Sequence, residues 1–154
     1  MNEIKSIVYL KEQGIPHRVV SFPETTEKST IPIANVLGVS PDLLLKTLVF
    51  EGKSGKSFIC LAKASSKVST KKLKNITHEE DVKMASPDEI YEVTGYRVGA
   101  IPPFALKSQI EVYIDSPLKN EKEVYVGAGK FGYEIILTPE NLKKVTHGSF
   151  CQIS

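Results

Sequence analysis

The sequence predicts an α+β fold: a mixed, largely antiparallel, barrel-like sheet surrounded by short helices. Three observations predict it. The β-rich runs come in neighbouring pairs, the helical signals between them are single and short, and the regular strand–helix–strand alternation of a doubly wound fold is missing. At 154 residues the chain has the length of one domain, read here as spanning 1–154. A chain of roughly that size buries about 68–70% of its unfolded surface, so no staple is required.

Each element has a local reason. Residues 3–13 read as a helix, because Ile4, Ile7 and Val8 share a face, Asn2 can cap it and Gly14 stops it. Residues 16–22 are a short strand. Residues 30–37 are a second helix, with Pro32 in its first turn and Gly38 as the stop. Residues 44–50 and 57–62 are β-rich runs joined by the glycine-bearing hairpin 51–56. Ser69 opens a lysine-rich helix to about Lys74, and 82–85 is a strand. At Ser86-Pro87-Asp88-Glu89 three signals coincide: an N-cap serine, proline in the first helical position and a glutamate that closes a capping box. That helix ends near Thr94-Gly95. Ile110, Val112 and Ile114 alternate onto one face of a strand. Residues 124–127 and 133–138 are strands about a glycine-rich turn, and Thr138-Pro139-Glu140 starts a last helix to about Val145.

Composition removes several classes of function. Hydrophobic residues make up 41% and charged residues 25%, an ordinary soluble balance. Cys60 and Cys151, the two cysteines, make neither a disulfide scaffold nor a four-thiolate site. His17, His78 and His147 lie far apart with no HExxH or CxxC spacing, so neither a metal nor a cofactor is expected. The apolar runs fall short of the ~20 residues of a membrane helix. The N-terminus lacks the basic segment and apolar core of a signal peptide. A cytoplasmic, reduced protein with no membrane partner is expected. The net charge is only +2, yet residues 52–78 carry seven lysines (53, 56, 63, 67, 71, 72 and 74) and no Asp or Glu. Charge alone makes such a stretch a solvated face first and a phosphate-backbone contact surface second.

Three segments depart from ordinary fold chemistry. Lys46 is embedded in the apolar run 43–50, and burying an ammonium is costly unless it is paired or snorkels out. On a strand it shares a face with Leu44 and Leu48. The segment 94–104, Thr-Gly-Tyr-Arg-Val-Gly-Ala-Ile-Pro-Pro-Phe, combines two glycines with two prolines. Such a loop holds its backbone groups toward a ligand, or simply connects a helix to a strand rigidly. The segment 126–132 is glycine-rich but is no Walker motif, because Gly129-Lys130 is followed by Phe131. Nor is it a Rossmann fingerprint, because a strand follows it. A glycine-rich hairpin is its local reading.

Together these segments carry a resemblance. The landmarks stand in order: 34–39 (Ala-Asn-Val-Leu-Gly-Val), 46–50 (Lys-Thr-Leu-Val-Phe), 94–96 (Thr-Gly-Tyr) with 99–103 (Gly-Ala-Ile-Pro-Pro), 112–115, 126–130 and 136–139. The chain resembles the YbaK/ProRS-associated domain family of aminoacyl-tRNA editing deacylases, from about residue 30 to about 153. The resemblance implies a trans-acting hydrolase for the ester joining an amino acid to mischarged tRNA, with tRNA(Pro) carrying Ala or Cys as the usual substrate range. Mischarged tRNA and a prolyl-tRNA synthetase are the implied partners. It matches Lys46 to the family's key site lysine, the 99–103 loop to the family's Gly-x-x-x-Pro loop, and Glu134 to its acidic residue after the glycine turn.

On that resemblance the site is expected to hold Lys46, Gly99 and Ala100 as catalytic residues. Thr47, Ile101, Pro102, Pro103, Gly127, Gly129 and Glu134 are expected to bind substrate, and Lys67, Lys71, Lys72 and Lys74 to contact tRNA. The chemistry is coherent. Aminoacyl esters are activated, so positioning a water and the ester supplies much of the rate. Backbone N–H groups at Gly99 and Ala100 can face a developing oxyanion. Lys46 as an ammonium is a donor and not a nucleophile. Two other classes remain open: a tRNA- or synthetase-docking module without catalysis, and a nucleotide-binding or small-molecule hydrolase using the 127–132 turn.

Overall fold

The structure is a computed structural model and describes residues 3–154. Five α-helices, eight strands and two short 3-10 turns follow one another along those residues. The strands form two sheets. Strands β2 (Lys46–Gly52), β3 (Ser57–Ala62), β4 (Val82–Met84), β5 (Glu111–Asp115) and β8 (Ser149–Cys151) make the larger one, in the order β4-β2-β3-β5-β8. Strands β1 (Arg18–Ser21), β6 (Val124–Gly127) and β7 (Tyr133–Leu137) make the smaller one, in the order β1-β7-β6. All pairs are antiparallel except β3 with β5 and β5 with β8. The sheet is therefore mixed, as expected. The two sheets meet at one corner, where Leu44 bridges Tyr125 and the Leu45 N–H donates to the Tyr125 carbonyl at 2.9 Å. They do not close into a barrel.

Side-chain alternation sorts the core into three layers. Between the sheets lie Val49, Ile59, Leu61 and Ile114 from one and Val126 and Ile135 from the other. Helices α1 (Lys5–Glu12), α4 (Pro87–Thr94) and α5 (Pro139–Thr146) close this layer with Leu10, Ile90 and Leu142. Full burial of each such side chain contributes about 1.5–3 kcal/mol. The outer face of the larger sheet, with Phe50, Cys60 and Ala62, is covered by Leu73 of α3 (Thr70–Thr77). The outer face of the smaller sheet, with Tyr125 and Ile136, is covered by Ala34 of α2 (Thr30–Leu37).

The caps act as their residues dictate. Ser69 accepts from the Lys72 N–H, Thr138 from the Asn141 N–H, and Ser86 with Glu89 forms the reciprocal capping box. The expected cap at Asn2 lies outside the described residues; α1 starts after Ile4 without a side-chain cap. Two differences from the sequence reading follow from non-local pairing. The helix opened by Ser69 runs on to Thr77 because Leu73 and Ile76 pack on the sheet. Strand β8 exists because β5 offers it a parallel edge. Among the described residues no helix is long and apolar enough to cross a membrane.

Candidate active site

Strand β2 sets one wall of the site. Leu45 and Val49 face the layer between the sheets, and Thr47 follows them by alternation. Lys46, Leu48 and Phe50 take the opposite face, under α3. Lys46 thus shares the face of Leu48 but not that of Leu44, which precedes β2 and packs with Tyr125 and Ile136; its ammonium donates to the carbonyl of Ser66 in the turn after β3. The peptide groups follow the same parity. The Gly52 N–H donates to the Lys56 carbonyl at 2.8 Å, so in this register the even-numbered peptide groups hydrogen-bond toward β3, while the Leu45 N–H bonds to Tyr125 and the Val49 carbonyl accepts from Ala85, both at 2.9 Å. Between those two anchors, the N–H and C=O of Thr47 lie on an open strand edge. That edge is one wall of a cleft of about 280 Å³.

The opposite wall is the 99–101 backbone. It approaches β6 so closely that a Cβ on Gly127 would lie 2.8 Å from the Ala100 carbonyl oxygen. The Gly129 N–H donates to that same oxygen at 2.7 Å. Both glycines of the 127–129 turn therefore hold the loop from behind, and only Gly127 also lines the cleft. Glu134 enters the cleft from β7, on the face of Ile136. Burial pushes its carboxyl up to about 7, and among the described residues it has no hydrogen-bond partner.

The structure thus brings together Lys46, Thr47, Gly99, Ala100, Ile101, Gly127 and Glu134. Pro102, Pro103 and Gly129 do not line this cleft. Pro102 and Pro103 are buried, and Pro103 borders a separate hollow beside Tyr9. A tight loop exposes its tip, and its proline exit packs into the core.

The lysine stretch divides in two. Lys53, Lys56 and Lys63 pair with Glu80, Glu111 and Glu121 at 2.7, 2.9 and 3.1 Å. Lys72 donates to the Ser154 carbonyl. Among the described residues Lys67, Lys71 and Lys74 have no carboxylate partner; Lys71 and Lys74 lie on α3, and Lys67 follows Ser66, whose carbonyl holds the Lys46 ammonium.

Sequence reasoning missed Lys28, Phe131, Met84 and Val98, which also line the cleft. The Lys28 ammonium lies 5.3 Å from the Phe131 ring centroid. Met84 and Val98 are 58% and 61% exposed, unusually open for apolar side chains at a cleft mouth. An aromatic residue inside a glycine turn and a valine before Gly99 were the available signals. The remaining candidates are structural. His78 and His147 cap α3 and α5 in left-handed conformation. Cys60 is fully buried, which pushes its thiol up to about 12. Among the described residues no group of three or more His, Cys, Asp or Glu is arranged to hold a metal.

Comparison with known proteins gives a consistent result. Residues 4–145 match the family model described as an aminoacyl-tRNA editing domain, so the likeness begins at the first helix and not at about residue 30. YwhH of Bacillus subtilis is 32% identical over 79% of this chain and 76% of its own length. EbsC of Enterococcus faecalis, named as a candidate Cys-tRNA(Pro)/Cys-tRNA(Cys) deacylase, is 25% identical over 94% of this chain and 89% of its own. A proline–tRNA ligase of Bacillus licheniformis is 29% identical over 69% of this chain and 18% of the ligase. A crystal structure titled as that of a candidate trans-editing enzyme for prolyl tRNA synthetase superposes with a TM-score of 0.89 at 22% identity, covering 100% of this chain and 99% of that one.

Proposed function

This chain belongs to the aminoacyl-tRNA editing domain family, and from that premise we propose that it hydrolyses the ester of mischarged tRNA in trans, removing alanine or cysteine from tRNA(Pro), with prolyl-tRNA synthetase as a second partner. The observation that carries the reading is the cleft itself. Lys46, Glu134 and the 99–101 loop line one cavity of about 280 Å³, a size suited to a small aminoacyl group. The name of EbsC supports the choice of tRNA.

The chemistry follows from these groups. A water oxygen bonds to the ester carbon, the bond to the ribose 3′ oxygen breaks, and that oxygen leaves with a proton as the 3′-hydroxyl. The N–H groups of 99–101 stabilise the negative charge that develops on the carbonyl oxygen. The Lys46 ammonium, held ready by the Ser66 carbonyl, turns to a substrate carbonyl or phosphate oxygen. Glu134 as carboxylate receives the substrate's α-ammonium. The peptide groups of Thr47 fix the substrate along the strand edge. Lys67, Lys71 and Lys74 hold the tRNA backbone outside. The test is hydrolysis of Ala-tRNA(Pro), Cys-tRNA(Pro) and Pro-tRNA(Pro) by the wild type and by Lys46→Ala. The reading expects release of Ala or Cys, sparing of Pro and loss of activity in the variant. No release from any of the three overturns it.

A further inference from the structure

The 95–106 loop is closed at its base. The Lys107 N–H donates to the Thr94 carbonyl at 3.0 Å and the Ser108 N–H to the Val93 carbonyl at 3.2 Å. One side chain spans its interior. The Tyr96 hydroxyl donates to the Ala105 carbonyl at 3.0 Å, across nine residues of chain, and Ala105 is a non-glycine residue at φ +57°. At the start of the span, the Tyr96 N–H donates to Thr94 Oγ1 at 3.1 Å, and that hydroxyl donates to the Ile90 carbonyl at 2.6 Å. The Tyr96 ring lies against Gly129, where a Cβ would come within 2.5 Å of it. Gly129 in turn donates its N–H to the Ala100 carbonyl at 2.7 Å. A chain of contacts therefore runs from Tyr96 through Gly129 to the peptide between residues 100 and 101.

We propose that Tyr96 is a positioning residue, which through Gly129 and Ala105 holds the 100–101 peptide so that the Ile101 N–H faces the cleft as the oxyanion donor. This deepens the deacylase reading and rests on it. A trans peptide is planar, with its C=O and N–H on opposite sides. Once Gly129 fixes the Ala100 carbonyl, the Ile101 N–H points the other way. Ile101 is 7% exposed and lines the cleft, and among the described residues its N–H has no acceptor. A buried N–H without a partner is costly, and in this proposal the oxyanion supplies the missing acceptor during reaction. The donor is thus Ile101, one residue beyond the Gly99–Ala100 pair that the sequence suggested.

Two variants and two readouts test this. Tyr96→Phe keeps the ring and removes the hydroxyl; Tyr96→Ala removes both. Single-turnover hydrolysis of Ala-tRNA(Pro) and Cys-tRNA(Pro) is measured, with amide hydrogen exchange of Gly129 followed by NMR on the protein alone. A donor displaced by about an ångström costs up to ~100-fold in rate. Tyr96→Phe is expected to slow the saturated step about tenfold and Tyr96→Ala about a hundredfold, with half-saturation within about twofold of wild type and faster Gly129 exchange in both. A wild-type rate in Tyr96→Phe, or a loss confined to half-saturation, overturns the proposal. If the wild type hydrolyses neither ester, the deacylase reading falls, and exchange alone decides the brace: faster exchange in Tyr96→Ala supports it, and unchanged exchange overturns it.

Discussion

The two glycine-bearing segments, 99–103 and 127–132, look alike in sequence and act differently in the fold. Gly99 sits at φ +119° with nothing within 4 Å of where a Cβ would be. Its constraint is conformation, and its surroundings are the open cleft. Gly127 has no positive φ, but the Ala100 carbonyl would lie 2.8 Å from its Cβ. Its constraint is space. One segment lines the cleft, and the other is the surface on which its backbone rests. Glycine content alone therefore does not mark a binding loop; what packs against the missing side chain does.

A size series at the two positions breaks this contrast most strongly. At Gly127 the loss should grow from Ala to Val, because each added atom pushes the 100–101 peptide further. Overpacking of this kind costs about 1–3 kcal/mol, and deacylation should fall by about ten- to a hundredfold as the loop shifts. At Gly99 the step to Ala should already take nearly the whole cost, about 1–3 kcal/mol of backbone strain, and Val should add little. Thermal unfolding and single-turnover rates read both series. Equal size dependence at the two glycines contradicts the division of labour.

The next effect belongs to Glu134, which the 127–132 turn delivers into the cleft. Its carboxyl stands at about 7 in the fold against 4.5 ordinarily, because burial disfavours the charged form. A value raised by folding adds stability at low pH, and that stability is lost as pH rises through about 7. Glu134→Gln removes the titration, so its advantage in stability over wild type should grow between about pH 5 and pH 8, by up to ~3 kcal/mol. Substrate affinity should run the other way. It needs the carboxylate, so wild-type half-saturation should worsen below about pH 7, and the Gln variant should lose that dependence. Parallel melting curves for the two proteins across this range contradict the assignment.

The smallest effect lies outside both segments. Replacing Lys67, Lys71 and Lys74 with Gln should weaken tRNA binding by several-fold and flatten the plot of log affinity against log salt by about 2–3 units of slope. The saturated rate should be unchanged. Replacing the paired Lys53, Lys56 and Lys63 should do much less, since their charge is already met by Glu80, Glu111 and Glu121. Equal effects of the two triples on affinity contradict the split of the lysine stretch.

How much of this was legible depends on the range of the interaction that decides it. The Ser86–Glu89 capping box, the Ser69 and Thr138 caps and the Gly38 stop are local, and their residue types name them. The alternation that puts Lys46 on the face of Leu48 is local as well. The resemblance named Lys46, the 99–103 loop and Glu134, and Lys46, residues 99–101 and Glu134 line one cleft, but it gave neither their distances nor their surroundings. What stayed hidden was set by residues far apart in the chain. The parallel insertion of β5 between β3 and β8 has no local signal. Neither has the pairing of Lys63 with Glu121, which turns part of an apparent tRNA surface into ordinary ion pairs. That Pro102 and Pro103 are buried off the cleft was hidden too, because a motif read as a string does not show where its exposed tip ends. Lys28 and Met84 reach the cleft from elements whose patterns say only loop and strand.

The central claim is that the cleft performs ester hydrolysis with Lys46 as a charged donor. The most direct test is single-turnover hydrolysis of Ala-tRNA(Pro) and Cys-tRNA(Pro) at saturating enzyme, comparing wild type with Lys46→Ala. The account predicts rapid release by the wild type and a rate at least ~100-fold lower in the variant, with its fold intact by thermal unfolding. A variant that keeps the wild-type rate, or an aminoacyl group trapped on Lys46 of the wild type, contradicts it.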